Sequence, residues 1–130
     1  MKNDPASATP IDATELLSRC MNNPAIVAAI LGSLEKQLPA NLEALSGSLR
    51  GGDLTTTAAV AHALKGAAGA VGASALRLVA EGIEQSAKAK ALGNAEETIA
   101  DLANEVRRCL DYVPIARGAA ACSEGARKKA

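Results

Sequence analysis

His62 is the only histidine of the chain, and Lys65, Gly66 and Gly69 follow it closely in a stretch rich in alanine. On a helical wheel with about 100° per residue, these four residues share one face. The opposite side of the wheel carries the apolar residues of the stretch, Val60, Leu64, Ala67 and Val71. We therefore expect an outward-facing imidazole on a surface of small residues, with one cation beside it.

This pair of side chains suits the transfer of a phosphoryl group. A neutral imidazole is a nitrogen nucleophile, and much of a free imidazole is neutral at the pH of the cytoplasm. Lys65, one turn from His62, can neutralise charge on a phosphoryl group that the imidazole carries. Phosphoryl transfer depends more on positioning and charge stabilisation than on acid–base groups. A domain with this pair can relay a phosphoryl group if a partner supplies the rest of the chemistry.

The glycines near His62 need a reason, because a glycine in a helix interior costs about 1 kcal/mol against alanine. Gly66 lies so near the direction of His62 that access for a large partner explains it better than helix packing does. For Gly69 and Gly72, close packing of neighbouring helices explains the small residue almost as well. Gly66 and Gly69 are therefore candidate access residues.

Apolar residues recur at spacings of three and four along most of the chain, which predicts helices. We expect a short helix after Pro10, a long second helix with a kink at Pro39, a third over roughly 54–70, a fourth to about Ala91 and a fifth that ends at Pro114. The predicted N-caps of these five helices are Asp12, Asn23, Asp53, Ser74 and Asn94.

Five helices with no credible strand predict an all-α protein. Since four of them are long and joined by short loops, we expect an antiparallel four-helix bundle with an additional short N-terminal helix. The bundle should span residues 11–113. Residues 1–10 are predicted to be disordered, and residues 114–130 to form a flexible C-terminal tail.

Composition excludes several classes of function. The 14 basic and 14 acidic residues give a net charge of zero, and Tyr112 is the only aromatic residue, so neither nucleic acid nor a membrane is an expected partner. The three cysteines have no metal-ligand spacing and read as reduced thiols of a cytoplasmic protein, and we expect no metal and no cofactor. No phosphate-binding glycine loop follows a strand, so the chain is not expected to be an enzyme with its own nucleotide site.

The run from His62 to Ala68, HALKGAA, followed by Gly72, Ala73 and Leu76, resembles the signature of histidine phosphotransfer (HPt) domains. The resemblance extends over about residues 11–113. It implies that His62 is phosphorylated on Nε2 and exchanges its phosphoryl group with an aspartate of a receiver domain. It also implies that Lys65 is the charge partner and Gly66 the access residue. The second helix lacks the phenylalanines that the family often has there.

Glu84 is a further candidate, for orienting the imidazole. If the third and fourth helices form a hairpin that turns near Ala73, Glu84 lies at about the height of His62. A carboxylate there can accept a hydrogen bond from Nδ1–H and leave Nε2 as the nucleophile. The family often has an acidic residue at this offset.

The preferred interpretation is a free-standing, monomeric HPt protein of the cytoplasm. It would accept a phosphoryl group from a receiver domain, such as that of a hybrid histidine kinase, and pass it to another receiver, whose acidic site would hold any Mg²⁺. One alternative is a helical adaptor that docks a receiver or kinase without being phosphorylated. Another alternative is a phosphodonor domain detached from a chemotaxis-type kinase. The absence of a kinase segment counts against it.

Overall fold

Five α-helices make up the computed structural model, which describes residues 9–91 and 93–129, with side chains as far as residue 121. No strand occurs in this part of the chain, so the prediction of an all-α protein is confirmed. The helices are α1 (Ala13–Arg19), α2 (Pro24–Gly51), α3 (Leu54–Ala70), α4 (Ser74–Lys88) and α5 (Ala95–Lys129).

Side-chain caps fix the start of four helices, as the sequence predicts. In each case a side-chain oxygen accepts a hydrogen bond from a backbone N–H of the first turn, which would otherwise have no partner in the helix. The four caps and their donors are Asp12 with Glu15 N, Asn23 with Ala25 N, Asp53 with Thr56 N and Asn94 with Glu97 N, at 2.9 to 3.1 Å.

The start of α4 differs from the prediction. Ser74 is the first residue of the helix, and its N-cap is Ala73, which has no side-chain oxygen to offer. Ala73 is fully buried instead, so packing determines the residue at this position. The helix ends at Lys88, three residues earlier than expected.

Helix α5 does not end at Pro114, and that prediction was wrong. Proline removes one backbone donor and usually breaks a helix, but here packing continues beyond it. Ala116 and Ala120 are buried, and Arg117 donates a 2.7 Å hydrogen bond to Glu35 on α2. Residues 114–121 therefore extend the helix along α2. Residues 1–8 of the expected disordered N-terminus lie outside the described part.

The core consists mainly of leucine, isoleucine, valine and alanine, with Cys20 and Cys109 among them. Helix α3 packs most extensively on α4, and α2 on α5 and α3. The buried face of α3 carries Thr57, Ala61, Leu64 and Ala68. The helical wheel had instead predicted that Val60 and Ala67 face the core. These two are half-buried, and alanines take the central places. Small residues at this interface allow α3 and α4 to approach closely.

Helix α1 is attached to the turn between α3 and α4. Gly72 adopts a left-handed φ of +67°, and a Cβ there would lie 2.7 Å from Cβ of Asp12. The backbone N–H of Asp12 donates to the carbonyl of Gly72 at 3.2 Å. Arg19 donates to the carbonyl of Gly69 at 2.8 Å, at the end of α3. These contacts fix the hairpin that carries His62.

Candidate functional site

His62 lies in the middle of α3 with 69% of its side chain exposed. Its Nδ1 is 2.9 Å from Oε2 of Glu84 on α4. Because an ionised carboxylate can only accept a hydrogen bond, this contact places the ring proton on Nδ1. The lone pair of the neutral imidazole is then on Nε2, in a side chain that a partner can reach.

Glu84 connects three side chains although only 6% of its own side chain is exposed. Besides His62, it pairs with Lys65, whose Nζ is 2.9 Å from Oε1, and with Lys88, whose Nζ is 3.2 Å from Oε2. The hydrogen bond from Lys65 is the main cause that lowers the pKa of Glu84 to about 2, against the opposing effect of burial. Glu84 is therefore ionised at physiological pH and available as an acceptor for Nδ1–H.

Lys65 is not the freely solvated lysine that its place on the wheel suggested. Its side chain is 29% exposed, and its ammonium group is bound to Glu84. The cation is nevertheless on the same helix as His62 and one turn away.

The two candidate access glycines are surrounded by open space or by ordinary contacts. Gly66 is exposed, and a Cβ built on it meets no atom within 4 Å. A Cβ on Gly69 would lie 3.6 Å from Cδ of Arg77, which is normal van der Waals contact. Neither position requires glycine for helix packing within the described residues. Gly72, in contrast, is explained by its backbone conformation.

Apart from Lys65, the α3 surface around the imidazole is built from small residues. On α3, the exposed positions next to His62 are Thr55, Ala59, Ala63 and Gly66. Such a surface suits the approach of a folded partner domain.

Lys88 is the member of the site that the sequence analysis missed. It lies four residues after Glu84 on the same helix, and a spacing of four brings opposite charges together on one helix face. That spacing was readable from the sequence. Without the position of Glu84, however, it looked like any solvated pair.

No group of three or more histidine, cysteine, aspartate or glutamate side chains is placed to hold a metal ion within the described residues. Cys20 and Cys109 are buried, and burial raises the pKa of the Cys109 thiol to about 12. No helix within the same part of the chain is long and apolar enough to cross a membrane.

The family model for the Hpt domain matches residues 29–113, which include all of α3 and α4. The chain belongs to the Hpt domain family. The resemblance seen in the sequence is thereby confirmed, and with it a role in histidine phosphotransfer within phosphorelay signalling. Hpt proteins act in phosphorelays as phosphotransfer intermediates that interact with receiver domains.

The fold agrees with this assignment. The crystal structure of histidine-containing phosphotransfer protein B (HptB) from Pseudomonas aeruginosa PAO1 is similar, with a TM-score of 0.77. The match covers 86% of this Hpt chain and 97% of that one, at 23% sequence identity. A search of curated proteins finds no match.

Proposed function

We propose that His62 accepts a phosphoryl group from the aspartate of one receiver domain and passes it to the aspartate of another. The observation that carries this proposal is the 2.9 Å contact between Nδ1 of an exposed histidine and the buried carboxylate of Glu84. It leaves Nε2 as the nucleophile at an accessible surface. Glu84 is the residue that orients the ring.

The transfer step needs no proton movement. The lone pair of Nε2 attacks phosphorus, an N–P bond forms, and the P–O bond to the receiver aspartate breaks with its electron pair going to the carboxylate. The proton on Nδ1 stays in the hydrogen bond to Glu84, so the phosphorylated ring is a cation that a carboxylate stabilises. Reversal of these steps delivers the phosphoryl group to the next receiver.

Lys65 and the glycines have separate roles in this scheme. The ammonium group of Lys65 neutralises charge on the phosphoryl oxygens while the group is on His62. Gly66, and with it Gly69, keeps the surface low enough for a receiver domain to bring its aspartate to Nε2. Gly66 has the stronger case because the space around it is open.

The proposal extends to the arrangement of the helices and to the state in which the protein acts. Helices α2 to α5 form an antiparallel four-helix bundle, and α1 packs on the α3–α4 turn. The protein acts as a cytoplasmic monomer without a nucleotide site of its own, and the receiver's acidic site holds any Mg²⁺. The adaptor alternative needs neither an oriented imidazole nor a lysine beside it, so the arrangement around Glu84 favours phosphotransfer.

The test is incubation of the protein with a panel of receiver domains phosphorylated with labelled phosphate. We expect at least one receiver to transfer label to the wild type, in a form that is lost in acid and kept in alkali. His62→Gln should accept no label while its helicity by circular dichroism is unchanged. Label that persists in His62→Gln contradicts the proposal, and receiver binding without any transfer favours the adaptor.

A further inference from the structure

Two lysines on different helices share the carboxylate of Glu84. Lys65 approaches from α3 and binds Oε1, whereas Lys88 approaches from α4 and binds Oε2, the oxygen that also contacts His62. Lys88 lies one turn beyond Glu84 and lines a surface groove together with Thr55 and Ala58. These two residues are on the two turns of α3 that precede His62. Lys65 follows His62 instead. The two cations therefore flank the carboxylate from opposite directions.

The two lysines differ in what they can do when His62 is phosphorylated. The phosphoryl group brings two negative charges to the outer side of α3, close to Lys65. If Lys65 turns towards those charges, Oε1 of Glu84 loses its ammonium partner. The phosphoryl dianion and the carboxylate of Glu84 then carry three negative charges against the two positive charges of Lys65 and the phosphorylated ring. The repulsion that is left opposes phosphorylation unless another cation is near Glu84.

We propose that Lys88 is a positioning residue that keeps the charge of Glu84 compensated while Lys65 moves from Glu84 to the phosphoryl group. This inference rests on the proposed function, because it assumes that His62 is phosphorylated. Lys88 is suited to the task because it is on the same helix as Glu84 and does not depend on the position of α3 side chains. It acts through Glu84 and need not touch the phosphoryl group.

The test measures the equilibrium constant for phosphoryl exchange between the protein and a phosphorylated receiver. The receiver is one that transfers label to the wild type. Lys88→Ala should lower this constant by about two- to fivefold, the range expected from an exposed ion pair. Lys88→Arg should restore most of the loss because it keeps the charge. Lys90→Ala is the matched control, since Lys90 lines the same groove without pairing with Glu84, and it should behave as wild type.

A double-mutant cycle with Glu84→Gln separates action through Glu84 from direct action on the phosphoryl group. The glutamine keeps an oxygen for Nδ1–H but has no charge for Lys88 to compensate. Adding Lys88→Ala to Glu84→Gln should therefore change the exchange constant by less than about 1.5-fold, and this departure from additivity would show that Lys88 acts through Glu84.

Two results overturn the inference. One is a Lys88→Ala exchange constant equal to that of wild type. The other is an equal loss with glutamate or glutamine at position 84, which would mean that Lys88 acts on the phosphoryl group itself. If the wild type takes label from no receiver, the proposed function fails and this inference fails with it. If the wild type accepts label and either of the two results is found, the proposed function stands and only the inference about Lys88 fails.

Discussion

Substitution of Gly66 should separate the stability of the fold from its function. Gly66 is in the interior of α3, is exposed, and has no atom within 4 Å of the position that a Cβ would take. Gly66→Ala therefore adds helix propensity without a clash, which amounts to about 0.5–1 kcal/mol in the free energy of unfolding. For a chain of this size, the midpoint of thermal unfolding should rise by about 2–5 °C.

Gly66→Gln should keep most of this stabilisation and still damage phosphotransfer. Glutamine is also a good helix former, but its side chain stands one turn from His62 on the exposed face. A receiver that has to bring its aspartate to Nε2 meets this side chain. Since displacements of about 1 Å can cost about a hundredfold in rate, we expect transfer to fall at least about tenfold.

The assay is single-turnover transfer from a phosphorylated receiver, with thermal unfolding measured on the same samples. Gly82→Gln is the matched control. Gly82 is an exposed glycine inside α4 with open space at its Cβ, and it lines a groove with Asp101 of α5. This control should transfer at the wild-type rate. Wild-type transfer by Gly66→Gln would refute the access role, and a loss of stability in Gly66→Ala would refute the packing argument.

Three further predictions concern the neighbours of His62 and the turn after α3. Lys65→Ala should stay folded by circular dichroism, since Lys88 still pairs with Glu84. Its phosphoryl transfer should be slower than that of wild type, and Lys65→Arg should recover part of the rate. Single-turnover rates equal to wild type at two ionic strengths would contradict this prediction. Because the pKa of Glu84 is lowered from 4.5 to about 2, the ionised form contributes stability above pH 4.5 that is lost as the pH falls towards 2. Urea unfolding should therefore show a steeper loss of stability over this range for wild type than for Glu84→Gln, and parallel curves would argue against it. Gly72→Ala should lower the free energy of unfolding by about 2 kcal/mol or more, from the positive φ and the 2.7 Å approach to Asp12; urea unfolding that matches wild type would contradict it.

Local signals predicted most helix starts, because the decisive interactions are short in range. Asp12, Asn23, Asp53 and Asn94 each cap a helix with a bond to a residue two or three positions ahead, which the sequence displays directly. The error at Pro114 has the opposite origin. The helix continues there because distant residues of α2 pack on it, and only the spacing of small alanines hints at that contact.

The sequence allows prediction of those parts of the site that depend only on helix geometry. A hairpin argument brings Glu84 to the height of His62, and the structure has the two side chains in contact at 2.9 Å. The burial of Glu84 depends on how closely α3 and α4 pack, which a helical wheel cannot give. For this reason the ion pair of Lys65 and the presence of Lys88 emerge only from the three-dimensional arrangement.

The most direct test of the central claim is nuclear magnetic resonance of the phosphorylated protein labelled with ¹⁵N. The account predicts that phosphorus couples to Nε2 of His62, while Nδ1 keeps its proton in the hydrogen bond to Glu84. Coupling of phosphorus to Nδ1, or phosphate on any residue other than His62, would contradict the account.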